Sequence, residues 1–158
     1  MYPFESLKPA DLQSAVKSAS ASGENKFIAG GMTLLPTLKL RLARPDRLID
    51  LSRITELTGI RVEAKHVEIG AMTRHADVAR SAELRRALPA LAALAGGIGD
   101  PLVRNRGTIG GSIANNDPAA DYPSALLALS GVVVTNQRDI AADDFFTGMF
   151  STALKSSE

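Results

Sequence analysis

The chain has 158 residues, and its 18 Lys and Arg nearly balance 17 Asp and Glu, for a net charge of +1. That balance gives no reason to invoke nucleic acid or a membrane surface. No run approaches the roughly 18 apolar residues of a membrane span, the start MYPFESLKPADL lacks the layout of a signal peptide, and the absence of Cys excludes disulfides, Cys-ligated zinc and an iron–sulfur cluster held by this chain, while being compatible with the cytosol.

Tyr2–Leu7 reads as an extended start. Leu12, Ala15, Val16 and Ala19 then recur at helical spacing until Gly23. Lys26–Ala29 is a short apolar strand broken by Gly30-Gly31, after which Thr33 is placed to cap a helix with Leu34, Leu35 and Leu38 inward and Pro36 tolerated in its first turn. Arg47–Leu51 reads as a strand. Ile60–Glu63 and Val67–Gly70 read as a hairpin around Ala64-Lys65-His66. Thr73 is placed to cap a helix carrying Ala76, Val78 and Ala79, and Glu83–Ala95 is helical with a break at Pro89. Gly96–Asn116, with six Gly, reads as a long functional loop. A helix over Ala119–Leu129, the strand Val132–Thr135 and a short element over Ala141–Phe150 follow, with Phe145, Phe146 and Phe150 expected in the core.

Two segments carry the chemistry. FIAGGMTLLP at Phe27–Pro36 runs a strand into Gly-Gly, a hydroxyl residue and a helix start, which points free N–H groups at an anion. By itself it reads first as an ordinary strand-to-helix turn, because Gly-Gly turns are common. GTIGGSIANNDPAADYP at Gly107–Pro123 is poor helix and poor interior strand, and suits a backbone that turns tightly and offers several N–H groups to one ligand. Taken together the two segments suit a diphosphate clamped from two sides. Neither has the G-x-G-x-x-G of a nicotinamide-type Rossmann site.

FIAGGMTLLP, LIDLS at Leu48–Ser52, IGDPLVRNRGTIGGSIANNDPAADYP at Ile98–Pro123 and ADDFFTGMF at Ala142–Phe150 resemble, in collinear order, the FAD-binding medium subunit of the molybdenum hydroxylases, the xanthine dehydrogenase and carbon monoxide dehydrogenase family. The resemblance implies an α+β, two-lobed, vanillyl-alcohol-oxidase-like (PCMH-type) FAD-binding fold. Its lobes are expected at residues 1–56, a small βαβ unit, and 57–158, a larger mixed-sheet unit, with FAD between them. It implies that Ala29, Gly30, Gly31, Met32, Thr33 and Leu34 wrap the FAD diphosphate through backbone N–H groups, with Met32 standing where a polar residue is more usual. It implies a second wall from Thr108, Ile109, Gly110, Gly111 and Ser112, an apolar contact from Ile98, and a nucleotide contact from Asp121, with Asp117 as runner-up. No catalytic acid, base or nucleophile is implied, because the flavin does the redox chemistry.

The implied activity is electron transfer. A large subunit with the molybdenum cofactor and a small subunit with iron–sulfur clusters pass electrons to FAD here, and the flavin reduces an external acceptor. The resemblance implies a further C-terminal domain that covers the flavin in the family and that this sequence is expected to lack, as a fragment, an expressed piece or a split gene product. The alternatives are a flavin-dependent reductase of the UDP-N-acetylenolpyruvoylglucosamine type and an assembly module that holds no FAD alone. His75 reads as a packing or capping residue, with a flavin neighbour or covalent anchor as the sharper reading. Arg104 and Arg106 read as loop structure ahead of direct phosphate contacts. The basic stretch Lys39, Arg41, Arg44, Arg47 and Arg53 reads as a solvated surface, or a docking face for a partner subunit.

Overall fold

A computed structural model describes all of residues 1–158. The first third is a three-stranded parallel sheet, β1 (Glu5–Leu7), β2 (Asn25–Ile28) and β3 (Arg47–Asp50), in the order β1-β3-β2. β3 takes the centre because Leu48 and Ile49, which point to opposite faces, are both buried, as a strand covered on both sides requires. Helix α1 (Leu12–Ala19) connects β1 to β2, and α2 (Leu34–Lys39) connects β2 to β3. Asp11 starts α1 by accepting the Ser14 N–H at 2.7 Å. Ala15 and Ala19 on its inner face meet Ile49 and Ile54, with Leu12, Phe27, Leu51 and Leu57 around them.

The remainder is helical, with strands only as separate pairs. The hairpin β4 (Ile60–Val62) and β5 (Val67–Ile69) pairs Ile60 with Ile69, as the sequence pattern predicts. Helices α3 (His75–Arg80), α4 (Ala82–Ala87) and α5 (Pro89–Gly97) follow, with Pro89 in the first turn of α5 where its missing N–H costs nothing. Then come α6 (Pro101–Arg104), α7 (Ile109–Asn115), α8 (Tyr122–Ala128), the pair β6 (Val132–Val134) and β7 (Asp139–Ala141), α9 (Ala142–Phe145), and the pair β8 (Phe146–Gly148) and β9 (Ser151–Thr152). Val78, Leu84, Leu91, Ala92, Ala95, Ile109 and Tyr122 form a second hydrophobic cluster. No helix is long and apolar enough to cross a membrane.

Several expectations are corrected. Gly96–Asn116 is not one long loop: it contains α6 and α7, so the segment read as poor helix opens a helix at Ile109. Thr108 supplies the cap, its hydroxyl accepting the Gly111 N–H at 3.2 Å. Thr73 does not cap α3. Its hydroxyl is buried and tied to the Gly59 backbone at 2.9 and 3.1 Å. The antiparallel or mixed sheet expected over residues 57–158 is instead three separate antiparallel pairs. Phe145 is fully buried, but Phe150 is 61% exposed, because it occupies the turn between β8 and β9 with a positive φ of 54°. Phe146 is half-buried and packs its ring edge-on to Phe145.

Candidate functional site

The loop from β2 to α2 is unusual in what it leaves undone. None of the six consecutive backbone N–H groups from Ala29 to Leu34 donates to a protein acceptor. Thr33 opens α2, yet its hydroxyl makes no capping bond, contrary to the capping expectation, and stays free. Gly31 bends the loop at φ +75°, a conformation that side chains disfavour. The result is a row of unpaired donors at a helix start, on half-buried to exposed residues, which is an anion-binding arrangement.

The second glycine segment lies against the first. A Cβ at Gly30 would overlap the Arg106 carbonyl and sit 2.8 Å from the Gly107 Cα. A Cβ at Gly111 would lie 3.5 Å from the Ala29 Cβ. Glycine is required at position 30 so that the two backbones can touch. The second segment differs from the first in its hydrogen bonding. Ile109 N–H donates to the Thr73 carbonyl at 3.0 Å, Gly110 N–H to Ala71 at 2.8 Å, and Ser112 N–H to Thr108 at 3.0 Å. With Gly111 bonded to the Thr108 hydroxyl, the donors of Ile109–Ser112 are used inside the protein. The segment therefore offers a rigid wall and the Ser112 hydroxyl more than a second nest of free N–H groups.

Between the segments is a cleft of about 190 Å³, lined by Ala29, Gly30 and Ser52 on one side and by Thr58, Met72, Arg74, Asp77, Arg106 and Thr108 on the other. Arg74 and Arg106 outnumber Asp77, and none of the three is in an ion pair, so the cleft favours an anion. Sequence reasoning placed Arg106 in loop structure and missed Ser52, Thr58, Met72, Arg74 and Asp77. They come from separate elements with no shared spacing, so nothing along the chain marked them.

Other expected residues sit apart from this cleft. Ile98 ends α5 and packs on the second hydrophobic cluster, while its carbonyl accepts Arg104 at 3.0 Å. Arg104 also donates to Gly99, which makes it a loop brace. Asp121 starts α8 with an exposed carboxylate free of hydrogen bonds, whereas Asp117 is used in a turn, accepting the Ala119 N–H at 2.9 Å. That difference leaves Asp121 as the carboxylate available to a ligand. In the basic stretch, Arg47 pairs with Glu5 at 2.8 Å, and Arg41 and Arg44 lie over the Tyr2 ring at 5.6 and 5.4 Å. Asn116 was missed: it is buried, with a left-handed backbone at φ 45°, and its amide donates to the Gly148 and Ser151 carbonyls at 2.8 and 2.9 Å.

Residues 2–158 match the family described as the FAD binding domain in molybdopterin dehydrogenase. The chain belongs to this family. It is 44% identical over 160 residues to the carbon monoxide dehydrogenase medium chain of Hydrogenophaga pseudoflava, covering 98% of this chain and 56% of that one. It is 40% identical over 154 residues to the nicotine 6-hydroxylase medium subunit of Paenarthrobacter nicotinovorans, covering 95% of this chain and 54% of that one. A solved structure of carbon monoxide dehydrogenase from Hydrogenophaga pseudoflava, lacking the Mo-pyranopterin moiety of its cofactor, superimposes with a TM-score of 0.93 at 43% identity, over 99% of this chain and 57% of that chain. The chain thus spans a little over half the length of these relatives. As a molybdopterin dehydrogenase FAD-binding domain it has the α+β, two-lobed fold that the motifs implied. The site fits the family cofactor: the unpaired N–H row at Ala29–Leu34 suits a diphosphate, and the glycine contact at Gly30 brings the second glycine segment directly against that row.

Proposed function

We propose that this chain is the FAD-binding part of a medium subunit in a molybdenum-containing hydroxylase or dehydrogenase, passing electrons from partner iron–sulfur clusters to an external acceptor. The observation that carries the reading is the row of six unpaired N–H groups at Ala29–Leu34, set against the second glycine segment in a chain of this family. Ala29, Gly30, Gly31, Met32, Thr33 and Leu34 would hold the diphosphate. Met32 suffices because the contact uses its backbone. Thr108, Ile109, Gly110, Gly111 and Ser112 would wall the other side, Asp121 would accept from the nucleotide, and Ile98 would pack near it. FAD, when bound, supplies the one- and two-electron chemistry, and the chain's residues bind and orient it.

The partners in this reading are a large subunit with the molybdenum cofactor and a small subunit with iron–sulfur clusters, in the cytoplasm. Relatives named as medium chains of a dehydrogenase and a hydroxylase favour it over a UDP-N-acetylenolpyruvoylglucosamine reductase. We also read residues 1–56 and 57–158 as two lobes, which is supported by their separate hydrophobic clusters. The test is an absorbance spectrum of the purified chain before and after added FAD. Flavin bands retained through gel filtration support the reading, and a folded, colourless protein that takes up no FAD overturns it for this chain.

A further inference from the structure

His75 opens α3 and is 4% exposed, and Tyr122 opens α8 and is fully buried. Their ring centroids lie 5.3 Å apart at a tilt of 42°. His75 Nδ1 and the Tyr122 hydroxyl are the two buried side-chain polar atoms without a hydrogen-bond partner. Buried polar groups are nearly always paired, so two unpaired ones on adjacent rings call for a reason beyond packing.

The same imidazole closes on the second glycine segment. The imidazole Nε2 fills the space over Gly107, where a Cβ would lie 2.5 Å from it, and independently of the ring the backbone N–H of His75 donates to the Gly107 carbonyl at 3.0 Å. On the far side, Tyr122 directly follows Asp121. The two rings therefore join the Gly107–Gly111 wall to the helix start that carries Asp121.

We propose that His75, with Tyr122, is a positioning residue that holds the Gly107–Gly111 wall and the Asp121 helix start at a fixed separation, and that it does so only as the neutral imidazole. This rests on the FAD-site reading above. The charged groups around it do not offset a positive ring. Arg74, Asp77 and Arg106 line the cleft, Arg80 lines a separate pocket with Arg104, and Arg104 is held by the Ile98 and Gly99 carbonyls. Asp121, Asp100 at the start of α6, and Glu83, Arg85 and Arg86 on α4 are exposed, and α5 and α7 carry no charge. Burial alone holds the His75 pKa below its ordinary range. A histidine so depressed is neutral in the native state above the ordinary value near 6.5, and acid below that value favours states in which the ring leaves its slot.

The experiment titrates the 158-residue chain with FAD by flavin fluorescence at about pH 7.5 and about pH 5.5, and follows amide hydrogen exchange at Ile109 and Gly110 at both. In the parent, acid weakens FAD binding by up to about tenfold for the pH unit below 6.5 and lowers the protection factor at both amides, the exchange rate being divided by the intrinsic rate at each pH. His75→Gln, neutral and polar, binds within about threefold of the parent at the higher pH and loses the acid dependence of both readouts. His75→Ala weakens binding at both pH values. The proposal is overturned if His75→Gln keeps the parent's acid dependence, or if the parent shows none. Should the chain take up no FAD, the FAD-site reading fails by itself. Exchange then decides the role of His75: an acid loss of protection in the parent that is absent in His75→Gln supports it, and an equal loss in both proteins, or none in the parent, overturns it.

Discussion

At the residue scale, the glycines of the two segments separate into structural and ligand-facing positions. Gly110 is structural: a Cβ there would lie 2.6 Å from the Ala71 carbonyl oxygen, across a backbone hydrogen bond that stitches α7 to the strand-like turn before α3. Gly110→Ala is expected to lower stability by about 1–3 kcal/mol, read as a fall in denaturant midpoint. Gly111 differs. A Cβ there meets the Thr108 hydroxyl at 2.9 Å and reaches toward Ala29, so a bulky residue intrudes between the segments while leaving the stitch to Ala71 intact. Gly111→Val is expected to weaken FAD binding by more than about tenfold with the fold retained. Equal binding in parent and variant would remove the second segment from the site. Both glycine runs were legible as a pair and through the collinear motifs around them, since Gly-Gly beside a hydroxyl residue is by itself an ordinary turn. Which glycine serves which purpose was not legible, because the answer lies in Ala71, Arg106 and Ala29, residues remote in sequence from the glycines they meet.

At the element scale, α7 shows local propensity overruled. Gly110 and Gly111 each cost about 1 kcal/mol in a helix relative to Ala, and that cost is why the sequence predicted a loop. The Thr108 cap and the backbone bonds to Ala71 and Thr73 hold the helix start all the same. Its end is held by Asn116, whose left-handed backbone and two amide bonds secure the β8–β9 turn. Asn116→Ala is expected to cost about 2–4 kcal/mol, from lost hydrogen bonds together with an unfavourable left-handed Ala. Asn116→Gly should fall between Ala and the parent, since it relieves the backbone term only. Chemical denaturation of the three proteins orders them, and an Ala variant as stable as the parent would contradict this account. By contrast, the β4–β5 hairpin and the α4–α5 break at Pro89 were readable, because strand alternation and proline stereochemistry act within a few residues.

At the scale of the whole molecule, one hydrophobic cluster gathers α1 and β3, and the other gathers α3, α4, α5, α7 and the start of α8. Ile49→Ala and Leu84→Ala each empty a fully buried site, one per cluster, and each is expected to cost about 2–5 kcal/mol. If the lobes open separately, Leu84→Ala speeds amide exchange in α5 but not in the β2–β3 ladder, and Ile49→Ala does the reverse. Equal acceleration everywhere would make the molecule a single cooperative unit. The sequence by itself determined the family, the two glycine segments and the elements from β1 to α5, while α6, α7 and the short strands after β6 escaped it. Backbone turns, proline breaks and apolar periodicity are local, and the collinear motifs carried the cofactor with them. Tertiary structure alone decided the composition of the cleft. It left the N–H groups of Ala29–Leu34 unpaired and paired those of Ile109–Ser112, and it brought His75 against Gly107 and Tyr122. A donor is free or spent according to which distant carbonyl the fold brings within 3 Å of it, and no spacing along the chain encodes that.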